Sequence, residues 1–156
     1  MTPHDLREEI AFELQALELV VSELQSLSVD VGGASPSIRE QTAAAAFLAQ
    51  FYNGIENILK RVCAFYAVPL PVGDTWHIEL FQYFVAPTYS PLPELFDESL
   101  AVQLSPYRRF RHVVFHSYGF QLDWTRMVEG IDEIDDVFLS FRDRVTDFLG
   151  SLPAER

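Results

Sequence analysis

Apolar residues in the first thirty positions recur at Ile10, Leu14, Leu17, Val21 and Leu24, spaced four, three, four and three apart. That spacing places them on one face of a helix. Three heptads of such a stripe fit a coiled-coil seam, and fit the core face of a bundle better. Thr2-Pro3 supplies an N-cap and a proline at the first helical position. The block is predicted to run to about Val31, where Gly32-Gly33 breaks it. Ser35-Pro36 opens a second block, expected to reach about Tyr66, with Phe47, Phe51, Ile55, Ile58, Leu59 and Val62 on its buried face. Its alanine run, Ala43 to Ala46, suits a helix. Pro69, Pro71 and Gly73 mark a loop. A short third helix is expected from Asp74 or Thr75, carrying Trp76, Leu80 and Phe84 and ending before Pro87.

The three prolines between Pro87 and Pro93 exclude regular helix. A fourth block is expected to start near Pro93, to be interrupted or restarted at Ser105-Pro106, and to stop at Gly119. Asp123 caps a last helix with Met127, Ile131, Ile134, Phe138 and Val145 inward, ending near Leu149. No segment alternates as a strand does. The expected fold is all-α, a bundle of four to five helices with short connections, forming a single domain over residues 1–156.

Composition narrows the classes. Hydrophobic residues make up 49% of the 156, enough for a core and too many for a disordered chain. A net charge of −12 excludes a uniformly basic protein that coats nucleic acid, though not a local basic patch. Cys63 stands alone, so neither an internal disulfide nor a cysteine-rich zinc site is expected. No run approaches the roughly 18 apolar residues of a membrane span. Asp5, Glu8 and Glu9 occupy the place where a signal peptide carries basic residues. The expectation is a soluble, cytoplasmic protein without membrane contact.

The charge is unevenly placed. Residues 105 to 126 hold Arg108, Arg109, Arg111 and Arg126 against Asp123 alone, a net of +3, while seven cations meet 22 anions elsewhere, a net of −15. A phosphate-binding cleft in an acidic protein has this pattern, and so does an arginine-rich solvated helix face. Glu129, Asp132, Glu133 and Asp136 form an acidic stripe on the last helix. It reads as the wet side of an amphipathic helix rather than a metal site.

One segment carries chemistry: Arg111-His112-Val113-Val114-Phe115-His116-Ser117-Tyr118-Gly119, which is R-x-x-x-x-H-x-Y ahead of a glycine. With it the sequence resembles the HEPN superfamily, in particular the HepT-like toxin ribonucleases. Phe51 to Lys60 resembles the family's second-helix segment, Trp76-His77 its next helix, and Phe110 to Trp124 the motif helix and following turn. The likeness covers about residues 38 to 149.

The resemblance implies a metal-independent, dimeric endoribonuclease of a toxin–antitoxin module, needing no cofactor, with RNA (tRNA or mRNA) as substrate. A minimal nucleotidyltransferase would be its antitoxin. The ribose 2′-hydroxyl attacks the adjacent phosphate. Arg111 would neutralise the phosphate and His116 would move the proton. Tyr118 would hydrogen-bond the phosphate or orient the histidine, and would accept AMP from the antitoxin. Ser117 could add a donor, and Arg108 and Arg109 are candidate substrate contacts.

Geometry raises one difficulty. On a regular helix Arg111 and Tyr118 point within about 20° of each other, whereas His116 points about 140° away from Arg111. Either the helix unwinds before Gly119, or the arginine wraps around, or two subunits share the site. His112 and His77 are read as structural, the latter packing beside Trp76, and His4 as part of a frayed end. Two other functions stay open. One is a catalytically silent helical partner that binds a nucleotide or supports a nucleotidyltransferase, which the acidic surface favours. The other is a plain helical dimerisation module.

Overall fold

The computed structural model describes residues 1–154, so Glu155 and Arg156 of the expected domain lie outside the described residues. The described residues are all-helical: α1 (Pro3–Val31), α2 (Ile38–Phe65), α3 (Trp76–Gln82), α4 (Glu98–Phe115) and α5 (Trp124–Ser151), with a 3-10 turn, Gly119–Gln121, between the last two. Among the described residues there is no strand, only an isolated parallel bridge between Val85 and Phe96. No described helix is long and apolar enough to cross a membrane.

The helix ends follow from their caps. Thr2 and Asp5 form a reciprocal capping box at the start of α1. Ser37 and Glu40 do the same for α2, two residues after the expected Ser35. Asp97 caps α4 by accepting from the Leu100 N–H at 2.7 Å, and Asp123 caps α5.

Two expectations about α4 are corrected. The helix does not begin near Pro93, because Leu92, Leu95 and Phe96 are buried in non-helical chain, the last two with their N–H groups donated to the Phe84 carbonyl. Nor does Ser105-Pro106 interrupt it. Pro106 sits inside a continuous helix. Val102, four residues before it, is exposed, so its carbonyl loses a helical partner where water can replace it.

The buried faces of all five helices meet in one cluster. Leu6, Ile10, Leu17, Val21 and Leu24 of α1 pack with Phe51, Ile55, Ile58, Leu59 and Val62 of α2 and with Met127, Ile131, Ile134, Phe138 and Val145 of α5. Leu14 and Phe47, expected inside, are only partly buried at its edge. Gly54 lets α1 and α2 approach closely; a Cβ there would meet Leu17 Cδ2 at 2.4 Å. Polar ties reinforce the packing. Arg61 of α2 reaches Glu9 and Glu13 of α1 at 2.7 and 2.9 Å. Arg7 donates to the Leu149 and Leu152 carbonyls at the end of α5, and Arg144 ties α5 to the Leu95 and Glu94 carbonyls before α4.

Candidate functional site

α4 carries its arginines on two sides. Arg108 and Arg111, three residues apart, share the side that faces α2 and α3. The Arg108 guanidinium lies 5.0 Å from the Phe81 ring, and its buried Nη1 has no hydrogen-bond partner. Arg109 projects to the other side. There, with Arg126, it borders a groove of about 500 Å³ between α4 and α5, floored by Leu48, Phe110, Val113 and Met127. The two residues expected to bind substrate together therefore look in different directions.

Arg111 is held from behind. Its Nε donates to Asn53 Oδ1 of α2 and lies 3.7 Å from Glu56 Oε1. Glu56 is only 2% exposed, yet it sits on the inward face of α2 between Tyr52 and Leu59. Its other oxygen, Oε2, is 2.5 Å from Nδ1 of His77 on α3. Arg111 Nη1 lies 3.4 and 3.3 Å from the two ring nitrogens of His77. A buried carboxylate is thus paired with two donors, as a buried charge requires. The far face of Arg111 rests 4.8 Å from the Phe115 ring. His77 also stacks on Trp76, 3.5 Å between ring centroids, and Lys60 Nζ lies 4.7 Å from the Trp76 ring.

Beneath this cluster is Tyr52, fully buried, with a hydroxyl that has no hydrogen-bond partner among the described residues. Burial raises its pKa and the Glu56 charge raises it further, while Arg108 and Arg111 pull it down. The net shift is upward, because desolvation of the phenolate dominates.

The helix ends at Phe115, and His116 is its C-cap with φ −114° and ψ 9°. The helix unwinds before Gly119, the first of the three possible resolutions. Gly119 itself is not the stop, and its φ is not in the left-handed region. It is needed for contact: a Cβ would lie 3.1 Å from the Thr42 Cα. Gln41 pins the same turn by donating to the Gly119 and Leu122 carbonyls at 3.2 and 2.6 Å.

His116, Ser117 and Tyr118 are all exposed, Tyr118 by 68%. His116 lies beside His112, ring centroids 4.5 Å apart, and Tyr118 stacks on Phe120 at 5.6 Å. Among the described residues, neither His116 nor Tyr118 makes a hydrogen bond or ion pair to Arg111. The chain instead brings Arg111 together with Asn53, Glu56 and His77. Asn53 and Glu56 had no role expected from sequence, and the structural reading of His77 beside Trp76 captures only half of its contacts. Glu56 did leave a signal, a carboxylate inside the inward stripe Tyr52, Glu56, Leu59, Cys63.

The acidic residues Glu129, Asp132, Glu133 and Asp136 are all exposed along α5, as the outer face of an amphipathic helix should be. Burial pushes the Cys63 thiol up to about 11, which marks it as an unreactive core residue.

An all-helical bundle with R-x-x-x-x-H-x-Y across the end of its fourth helix defines a protein of the HEPN superfamily. The family model described as HepT-like protein matches residues 43–152, most of the chain, and the chain belongs to that family. No curated protein and no solved structure matches it.

Proposed function

We propose that the protein is a metal-independent endoribonuclease toxin, acting as a dimer and silenced by a nucleotidyltransferase antitoxin. Membership of the HepT-like family supports a HEPN toxin-type role in general. The observation that carries the finer reading is the fixed position of Arg111. Asn53 and Glu56 hold its Nε edge, so the guanidinium is oriented before any substrate arrives. Preorganised donors of this kind stabilise charge that builds on a phosphate. In the reaction the 2′-oxygen bonds to phosphorus, the P–O5′ bond breaks, one group takes the 2′ proton and another protonates O5′. His116 is the motif's proton-transfer residue. Ser117 and Tyr118 share its exposed turn and are available to an RNA strand.

Silencing acts through Tyr118. Its phenolic oxygen attacks the α-phosphorus of ATP in the antitoxin's active site, pyrophosphate leaves, and the phenolic proton passes to solvent. The attached adenylate places a negative phosphate near the basic residues that would otherwise meet RNA. An exposed tyrosine on a turn outside the helix can enter another enzyme's site without unfolding.

Cleavage of total RNA, assayed with and without a chelator, tests the nuclease. Activity should survive chelation. Arg111→Ala and His116→Ala should each lower it by about 10²–10⁴-fold with helical content retained, and His112→Ala much less. Co-expression with the cognate nucleotidyltransferase should add AMP by intact mass, and the adduct should vanish in Tyr118→Phe. An inhibited but unmodified complex would mean silencing by occlusion.

One observation favours a second reading. Arg111 is already paired with the Glu56 carboxylate, and a guanidinium so neutralised has less charge to offer a phosphate. With the −12 net charge, this fits a catalytically silent accessory partner of a nucleotidyltransferase. Wild-type protein that leaves RNA intact and binds the nucleotidyltransferase unmodified would establish that reading.

A further inference from the structure

We propose that His77, oriented by Glu56, is a second proton-transfer group of the phosphate site, supplied by the same subunit as Arg111. The proposal rests on the ribonuclease reading above. Cleavage needs two proton-transfer roles, and the motif supplies one histidine per chain. The fold offers a second imidazole within one chain, 21 residues from Glu56 in sequence and 34 from Arg111.

The local chemistry fits a base. With Glu56 ionised, its Oε2 can only accept, so His77 donates from Nδ1 at 2.5 Å. That fixes the tautomer with its lone pair on Nε2, which accepts from Arg111 Nη1 and can take a proton once a phosphate draws the guanidinium to itself. A carboxylate behind an imidazole also stabilises the imidazolium once it forms. Arg111 Nη1 lies 3.3 Å from Nε2, so a phosphate held by the guanidinium would bring its neighbouring ribose to His77. The His77 and Arg111 side chains are 27% and 19% exposed, enough for a ligand to reach both, whereas Glu56 at 3% is not accessible. Trp76, stacked on the imidazole, holds the ring plane. In the step His77 Nε2 takes the 2′-hydroxyl proton as the 2′-oxygen bonds to phosphorus. His116 then gives its proton to O5′ as the P–O5′ bond breaks. Glu56 is a positioning residue: it accepts from His77 Nδ1 and touches no reacting atom.

The test uses the bond that wild-type protein cuts, prepared with oxygen and with sulfur at the 5′-bridging position. A thiolate leaves without a proton, so the acid becomes dispensable and the base does not. His77→Gln should lose about 10²–10⁴-fold on both substrates, while His116→Ala should recover most of its loss on the sulfur substrate. Wild-type cleavage with His77→Gln within about threefold of it on the oxygen substrate overturns the role of His77 and leaves the ribonuclease reading intact. Recovery of His77→Gln by sulfur overturns its assignment as the base. A wild type that cuts no RNA overturns the ribonuclease reading and this proposal with it. Should His77→Gln misfold by circular dichroism, wild-type protein with 15N-labelled histidine decides. Titration with a nucleoside 3′-monophosphate should shift the His77 ring signals, and no shift up to about 10 mM counts against the proposal.

Discussion

Tyr107 shows how a single side chain on α4 serves the fold rather than the site. Its hydroxyl donates to the Gly130 carbonyl of α5 at 2.7 Å, and its ring packs edge-on against Phe51 at 5.2 Å. Burial raises its pKa, with the Glu133 charge adding to the rise. A pKa raised in the folded state stabilises the protein fully below the unfolded tyrosine value, near 10, and that contribution is lost as pH rises above it. Tyr107→Phe should therefore cost about 1 kcal/mol at neutral pH through the lost hydrogen bond. The gap between wild type and variant should narrow above about pH 10, where the unfolded phenol ionises. Urea unfolding of both proteins at neutral and alkaline pH checks this; a gap that widens with pH refutes it. At this scale the sequence was legible where the candidate site is a run of consecutive residues, as in Arg111 to Tyr118. It was opaque where the candidate site is built from contacts. Asn53, Glu56 and His77 come from two other helices, and only the way α2, α3 and α4 pack decides that they meet Arg111.

Among the elements, the long helices were readable because apolar spacing and caps agree. Thr2-Pro3 and Asp123 mark true helix starts, and the predicted inward residues of α5 are all buried. Two of the differences concern residues that ordinarily break helices, where the local setting decides otherwise. Pro106 is tolerated on the exposed side of α4, and Gly119 is selected by contact with Thr42 rather than by backbone conformation. Gly54 follows the same logic inside α2. Alanine there would gain about 1 kcal/mol of helix propensity. Its Cβ would also meet the Leu17 side chain at 2.4 Å, forcing α1 and α2 apart or Leu17 off its rotamer. Overpacking of this kind costs about 1–3 kcal/mol, so Gly54→Ala should be neutral to destabilising by about 2 kcal/mol. A higher urea midpoint for the variant would show that Leu17 repacks freely.

For the whole molecule, the unequal distribution of apolar surface matters most. The five helices hide their stripes in one cluster, yet the end of α4 and the turn after it leave Val113, Phe115, Tyr118 and Phe120 at 44%, 61%, 68% and 51% exposure. Large apolar and aromatic side chains left exposed beside the motif are the composition of an interface, where aromatics are enriched. The molecule also carries a net charge of −12, and a twofold contact at residues 105–126 would set their net +3 against itself, so association there has to rest on the apolar side chains. The proposed dimer accordingly belongs at this surface, with the exposed turns of both chains apposed. Phe120 is the residue to probe, because it touches only Tyr118 among the ring contacts around the motif and lies outside the Arg111 cluster. Phe120→Glu should convert dimer to monomer at micromolar concentration in analytical ultracentrifugation, with unchanged helical content. RNA cleavage should fall with the dimer fraction if the active cleft needs both chains. A variant that stays dimeric would move the interface away from the motif.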